Sequence, residues 1–149
     1  IDLYRDMMDK LQQTYRDTHF KAIVADYFEC PFEAERYDAA LSFETLHHFP
    51  YEKKKRIYQK LYRALKPGGY YIECDYMACC AEEERLCLEQ YEYKRKKSGL
   101  PGHVFVHLDI PLTLEHQVEL IRNGGFQSVD VLYQNGGTVI LRAEKSGNS

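Results

Sequence analysis

The chain has 149 residues, 44% of them hydrophobic and 29% charged, with a formal net charge of −3. That length suits one domain with its own hydrophobic core, and the composition is that of an ordinary globular chain. The negative balance argues against a nucleic-acid binder relying on bulk electrostatics, and no stretch approaches the roughly 20 apolar residues that cross a membrane.

The chain opens on Ile1-Asp2-Leu3, without Met and without a signal-peptide pattern, which points to a fragment, a processed product or further residues upstream. Its five cysteines are Cys30, Cys74, Cys79, Cys80 and Cys87. An odd number with no C-x-x-C spacing fits neither a zinc site nor a disulfide framework, so reduced thiols in the cytoplasm and no bound metal are expected. The basic runs Lys53-Lys54-Lys55-Arg56 and Lys94-Arg95-Lys96-Lys97 lie in helical patterns beside acids and read as solvated helix faces.

In chain order, Met7, Met8, Leu11 and Tyr15 predict a helix from Tyr4 to about Asp17. Lys21 to Asp26 is a short apolar run ending in an acid. Tyr37 to Phe43 is a second run, too apolar to alternate, as expected of a strand covered on both faces. Pro50 opens a helix with the stripe Ile57, Leu61 and Leu65, and Lys66-Pro67-Gly68-Gly69 stops it. Tyr70 to Tyr76 predicts a third strand, and Ala81 to about Ser98 a long charged helix burying Leu86, Leu88 and Tyr91. Gly99 to Pro111 reads as a loop carrying His103 and His107. Thr113 caps a further helix that ends at Gly124-Gly125. Between Phe126 and Glu144, two β runs flank Asn135-Gly136-Gly137, a hairpin signal of type I′.

Alternating strands and helices give an α/β fold: a three-layer α/β/α sandwich with a mostly parallel, doubly wound sheet and a C-terminal antiparallel hairpin. One domain over residues 1–145 with a polar tail at 146–149 is expected. In such sheets ligands settle beyond the carboxyl ends of the strands. Asp2, if it ends a strand, can accept hydrogen bonds from ribose hydroxyls, and Asp26 can accept one from the exocyclic amine of adenine. Tyr27 and Met7 can flank the base. Each also has a plainer role: Asp2 as a helix cap, Asp26 as a turn acid, Met7 as core.

The segment from Tyr37 through Leu46-His47-His48-Phe49 resembles the fourth-strand motif of class I, Rossmann-like S-adenosylmethionine-dependent methyltransferases. Leu65-Lys66-Pro67-Gly68-Gly69 resembles the turn before their fifth strand. Ile1-Asp2-Leu3 with Met7-Met8 is similar to their acid-plus-methionine segment, Ala25-Asp26 to their adenine-binding acid, and the hairpin to their last two strands. The resemblance implies S-adenosylmethionine as cofactor, with Asp2 on the ribose, Leu3 and Met7 along the adenosine, and Asp26 with Tyr27 at the adenine. Ser42 and Phe43 would lie near the methionine portion, and Lys66 would be structural. The family's glycine-rich loop after strand one has no counterpart in these residues, which implies an N-terminally incomplete domain.

Methyl transfer is an in-line displacement in which the protein supplies position and desolvation, so no catalytic side chain is obligatory. Candidates for the acceptor side are His47 or His48, Glu44, Asp75, Tyr76, His107 and Asp109, with His47, His107 and Asp109 the preferred substrate contacts. The 13 tyrosines raise the prospect of an aromatic acceptor pocket, although Tyr58, Tyr62, Tyr91 and Tyr93 fall on helices where they can pack with the hydroxyl exposed. A small-molecule acceptor is expected, without nucleic-acid or membrane partners. Two other functions compete: an NAD-linked reductase, and a non-catalytic interaction module on the same fold.

Overall fold

The computed structural model describes residues 1–16, 19–101 and 104–147. Asp17 and His103, named above, lie outside the described residues. The chain forms two compact units, Ile1–Glu33 and Ala34–Ser149.

In the first unit, helix α1 spans Arg5–Thr14 and buries only Met8; Met7, Leu11 and Tyr15 are exposed. Asp2 Oδ1 accepts the Tyr4 N–H at 2.8 Å in a turn just ahead of the helix; the N-cap position is Tyr4 and carries no side-chain cap, so Asp2 does not cap α1. The expected strand at Lys21–Asp26 is reduced to one parallel bridge, Asp2 with Val24, held by Asp2 N–H to Ile23 O (3.1 Å) and Ala25 N–H to Asp2 O (2.9 Å). A ladder needs a partner of matching length, and beside this segment the first unit places only the short stretch around Asp2.

The second unit is built on a four-stranded sheet of β1 (Tyr37–Phe43), β2 (Leu65–Tyr76), β3 (Ser128–Asn135) and β4 (Thr138–Glu144), in the order β1-β2-β4-β3. β1 and β2 run parallel, whereas β4 is antiparallel to both neighbours. Alternate residues face one way: Tyr71, Glu73 and Asp75 of β2 with Val139, Leu141 and Ala143 of β4, all buried. Helices α2 (Tyr51–Ala64) and α4 (Leu114–Asn123) cover this face and contribute Ile57, Tyr58, Leu120 and Ile121 to the core. Thr113 caps α4 as expected, its Oγ1 accepting the His116 N–H.

Four expectations are corrected. β1 is not covered on both faces: Leu41 is 72% and Phe43 64% exposed, because they point away from the α2/α4 side and β1 pairs only with β2. Helix α3 (Ala81–Ser98) buries none of its residues, and Leu86 and Leu88 are exposed. It is steadied instead by Arg85 ion pairs with Glu82 and Glu89 and by acids in its first turn and bases in its last. Lys54, assigned to a solvated face, is 1% exposed, since it lies one turn before Ile57 and Tyr58 on the buried side of α2. The hairpin turn has positive φ only at Gly136 (+57°), the first of two central residues, which is the pattern of type II′; Asn135 belongs to the strand.

The Lys-Pro-Gly-Gly segment is not a turn outside the sheet. α2 ends at Ala64 and β2 begins at once at Leu65, so a step of two residues on β1, Tyr37 to Ala39, is matched by five on β2, Leu65 to Tyr70. The surplus forms a bulge in which Gly68 takes φ +77° and bonds back to Lys145 O at 3.0 Å. Lys66 makes a surface pair with Asp38 at 2.7 Å, in keeping with a structural role.

Candidate active site

Strand β1 ends at Phe43, and Glu44 then takes φ +43°, an unusual value for a residue with a Cβ. Its N–H still bonds Cys74 O at 2.8 Å, so the chain turns sharply at the carboxyl end of the sheet and enters a 3₁₀ turn, Leu46–His48. This turn sits over Asp75 of β2. The 2% exposed Asp75 accepts the N–H groups of Leu46 (2.8 Å) and His47 (3.2 Å) and the His47 Nδ1–H. Burial works against a charged His47, but the hydrogen bond and charge of Asp75, with Asp109 adding to them, raise its pKa above the usual histidine value.

The segment before α4 completes the cluster. Ile110 N–H donates to His47 O at 2.8 Å, and Ala78 N–H donates to Leu112 O at 2.9 Å, tying the segment to the end of the sheet. Asp109 Oδ1 thereby lies 3.6 Å from His47 Nε2 and 3.0 Å from His48 Nδ1. The second approach lacks hydrogen-bond geometry, so the buried His48 Nδ1 has no hydrogen-bond partner. Desolvation first, then the neighbouring His47 and His107, lower the pKa of His48. The His107 ring stands 4.3 Å from that of His48. Of the acceptor-side candidates, His47, His48, His107, Asp109 and Asp75 are thus brought together. Glu44 is exposed after β1, and the Tyr76 hydroxyl is spent on Glu83 at 2.8 Å.

Behind this cluster runs a polar network that the sequence did not announce. Glu73, fully buried, accepts hydrogen bonds from Tyr58 and Tyr71, each at 2.8 Å, and from Gln117. Burial, aided by Asp75, raises its pKa to about 7. Lys54 donates to Ile110 O at 3.3 Å, and its desolvation lowers its pKa to about 8. The Tyr58 hydroxyl is therefore neither exposed nor available to an acceptor. The alternation in β2 leaves a Tyr-x-Glu-x-Asp trace in the sequence, yet its polarity reads as a solvent-facing stripe until α2 and α4 are placed over it.

Comparison with known proteins bears on what this end of the sheet does. A family model described as a methyltransferase domain matches residues 1–72. A sterol methyltransferase-like 3 protein of Botryococcus braunii is 40% identical over 56 residues, 38% of this chain and 14% of that protein. A SAM-dependent methyltransferase from Methanosarcina mazei superposes with a TM-score of 0.65 at 14% identity, covering 99% of this chain and 81% of the other. Human N-acetylserotonin methyltransferase, solved in complex with SAM, gives 0.64 at 18% identity, covering 97% and 39%. Residues 1–72 are thus similar to a methyltransferase domain, and the chain has the fold of class I methyltransferases.

The cofactor of such methyltransferases is S-adenosylmethionine, and the first unit of this chain offers residues that fit it. Asp2 and Asp26 stand at the same ends of two parallel extended segments joined by the Asp2–Val24 bridge. Asp26 Oδ1 accepts the Phe28 N–H at 2.8 Å, which orients its carboxylate in a turn. Leu3 and Met7 are 57% and 62% exposed, so Met7 is apolar surface and not core. Tyr27 is half-buried, its ring 4.8 Å from that of Phe28. In the second unit Phe43 is exposed, whereas the Ser42 hydroxyl is engaged with the Tyr71 hydroxyl at 2.6 Å, turning it toward the buried network.

Proposed function

We propose that this methyltransferase transfers the methyl group of S-adenosylmethionine to a small-molecule acceptor whose reacting atom carries a proton. The observation that carries this reading is the convergence of His47, His48, His107 and Asp109 beside the end of β1. When bound, the cofactor supplies an electrophilic methyl carbon, and all else is positioning. Asp2 and Asp26 would hold the ribose and the adenine, with Leu3, Met7 and Tyr27 against the adenosine and Phe43 and Ser42 nearer the methionine portion. On the acceptor side, Asp75 fixes the His47 ring through Nδ1, leaving Nε2 to face the acceptor as a hydrogen-bond or proton acceptor. A net charge of −3 favours a small molecule over nucleic acid, and five free cysteines suit the cytoplasm.

The test is a calorimetric titration with S-adenosylhomocysteine, with any residues encoded upstream of Ile1 included, alongside Asp26→Ala. Saturable binding, weakened about 10- to 100-fold in the variant, is expected from loss of a charge-assisted hydrogen bond. Absence of binding by the folded protein would sink the reading and leave an interaction module as the better account. Preference for NADH would leave a reductase.

A further inference from the structure

His47, His48 and Asp109 each present one ligand-type atom, and the three lie within 4.8 Å of one another; among the described residues no other group of histidines, cysteines and carboxylates does so. Two separations, 3.6 and 3.0 Å, run from Asp109 Oδ1 to His47 Nε2 and His48 Nδ1. Nitrogen and oxygen ligands held about 2.0–2.1 Å from one tetrahedral ion are about 3.3 Å apart, so the observed spacings bracket what a single ion requires. Three further features point to a cation. His47 gives its Nδ1–H to the buried Asp75 carboxylate, the arrangement that sets a metal-binding imidazole with its Nε2 lone pair outward. His48 Nδ1 is buried without a hydrogen-bond partner, a cost that a bound ion removes. The Asp109 carboxylate is 59% exposed, so an ion there is reached from solvent and has a side not covered by protein.

We propose that His47, His48 and Asp109 bind one first-row divalent transition-metal ion, with Zn²⁺ the reference case, and leave a coordination position open. Two imidazoles with one carboxylate suit Zn²⁺, Mn²⁺ or Fe²⁺ and disfavour Mg²⁺ and Ca²⁺, which prefer all-oxygen shells. Three protein ligands and an open position are the pattern of a catalytic metal, whereas a structural site is closed by four. The binding stands on these side chains alone. That the open position receives an oxygen of the methyl acceptor rests on the function proposed above, the ion then taking the place of His47 Nε2 as the group that meets that oxygen.

Co²⁺ serves as the probe because its visible absorption reports ligand type and geometry. Protein stripped with a chelator is titrated with Co²⁺, then with Zn²⁺ and Mg²⁺ as competitors. The expected result is one Co²⁺ per chain, without the intense near-ultraviolet band of thiolate ligation, displaced by Zn²⁺ and not by Mg²⁺. Asp109→Asn and His48→Gln, neither residue among those of the hydrophobic core, should each weaken binding about tenfold or more while circular dichroism is unchanged. A Cys79→Ser, Cys80→Ser double variant should bind as the parent does. Absence of stoichiometric Co²⁺ overturns the proposal, as does binding indifferent to Asp109→Asn and His48→Gln, or binding lost with the two cysteines. Parallel titration with S-adenosylhomocysteine separates the two readings. Nucleotide binding without Co²⁺ removes only the metal, and Co²⁺ without nucleotide binding removes only the methyltransferase function.

Discussion

Glu73 shows how far one buried side chain can set the behaviour of its surroundings. Its carboxyl faces Tyr58, Tyr71 and Gln117 in a site closed to water, and its pKa rises from 4.5 to about 7. Between those values the folded chain keeps a proton that the unfolded chain has released, so stability falls as pH rises through that window and levels off above it. A shift of this size corresponds to about 3 kcal/mol. Urea midpoints should therefore drop between about pH 5 and about pH 8, and Glu73→Gln, which carries no titrating proton, should flatten the slope. An unchanged slope in the variant would mean that Glu73 titrates alike in the folded and the unfolded chain, as a solvated carboxyl does. Lys54 acts oppositely at higher pH: its lowered pKa means stability regained as pH rises from about 8 toward 10.5. Neither residue was legible in the sequence. A lysine in a basic run and a glutamate in a strand acquire these properties only once helices cover them.

The bulge at the start of β2 is the element on which sheet register depends. A Cβ on Gly69 would meet Lys66 O at 2.9 Å and Asp38 O at 3.0 Å, both backbone atoms of the paired strands, whereas one on Gly68 meets open space and only a strained φ. Gly69→Ala should cost about 1–3 kcal/mol in thermal or urea unfolding, and Gly68→Ala about 1 kcal/mol, because one change moves the ladder and the other only a turn. Equal costs would show that the bulge yields without disturbing β1. Here the sequence was informative but incomplete. Pro67-Gly68-Gly69 marks a chain reversal after a helix, yet whether the residues lie outside the strand or within it depends on what β1 and Lys145 offer as partners. The same holds for α3, whose Leu86, Leu88 and Tyr91 read as candidate buried residues although the helix buries none of its residues.

At the scale of the whole molecule, β1 is an edge strand carrying Tyr37, Leu41 and Phe43, all exposed. An unpaired apolar edge of this kind is a template for another strand. Sedimentation should show self-association of the 149-residue chain that rises with concentration and is reduced by Leu41→Lys, a charge pointing into solvent on the same edge. A monomer at all concentrations, with or without the lysine, would mean that the edge is otherwise shielded. The comparisons bear on the same scale: the curated relatives match at 10–17% of their own length, so what their remaining residues do is a separate matter from what this chain builds.

By itself, the sequence determined the alternation of helix and strand, the closing hairpin, the capped α4 and the resemblance to methyltransferases, because periodicity, Pro and Gly punctuation and short motifs act locally along the chain. It also offered His47 or His48, Asp75, His107 and Asp109 among the acceptor-side candidates, the first after a strand end and the last two from the segment expected to cover the acceptor. The tertiary structure alone decided that both His47 and His48 meet Asp109, that Asp75 is the carboxylate behind His47, and that Glu73 and Lys54 are buried. Those outcomes depend on residues tens of positions apart being brought within a few ångströms. Only the packing of α2, α4 and the 104–112 segment against β2 sets such distances, and with them the local dielectric that fixes charge.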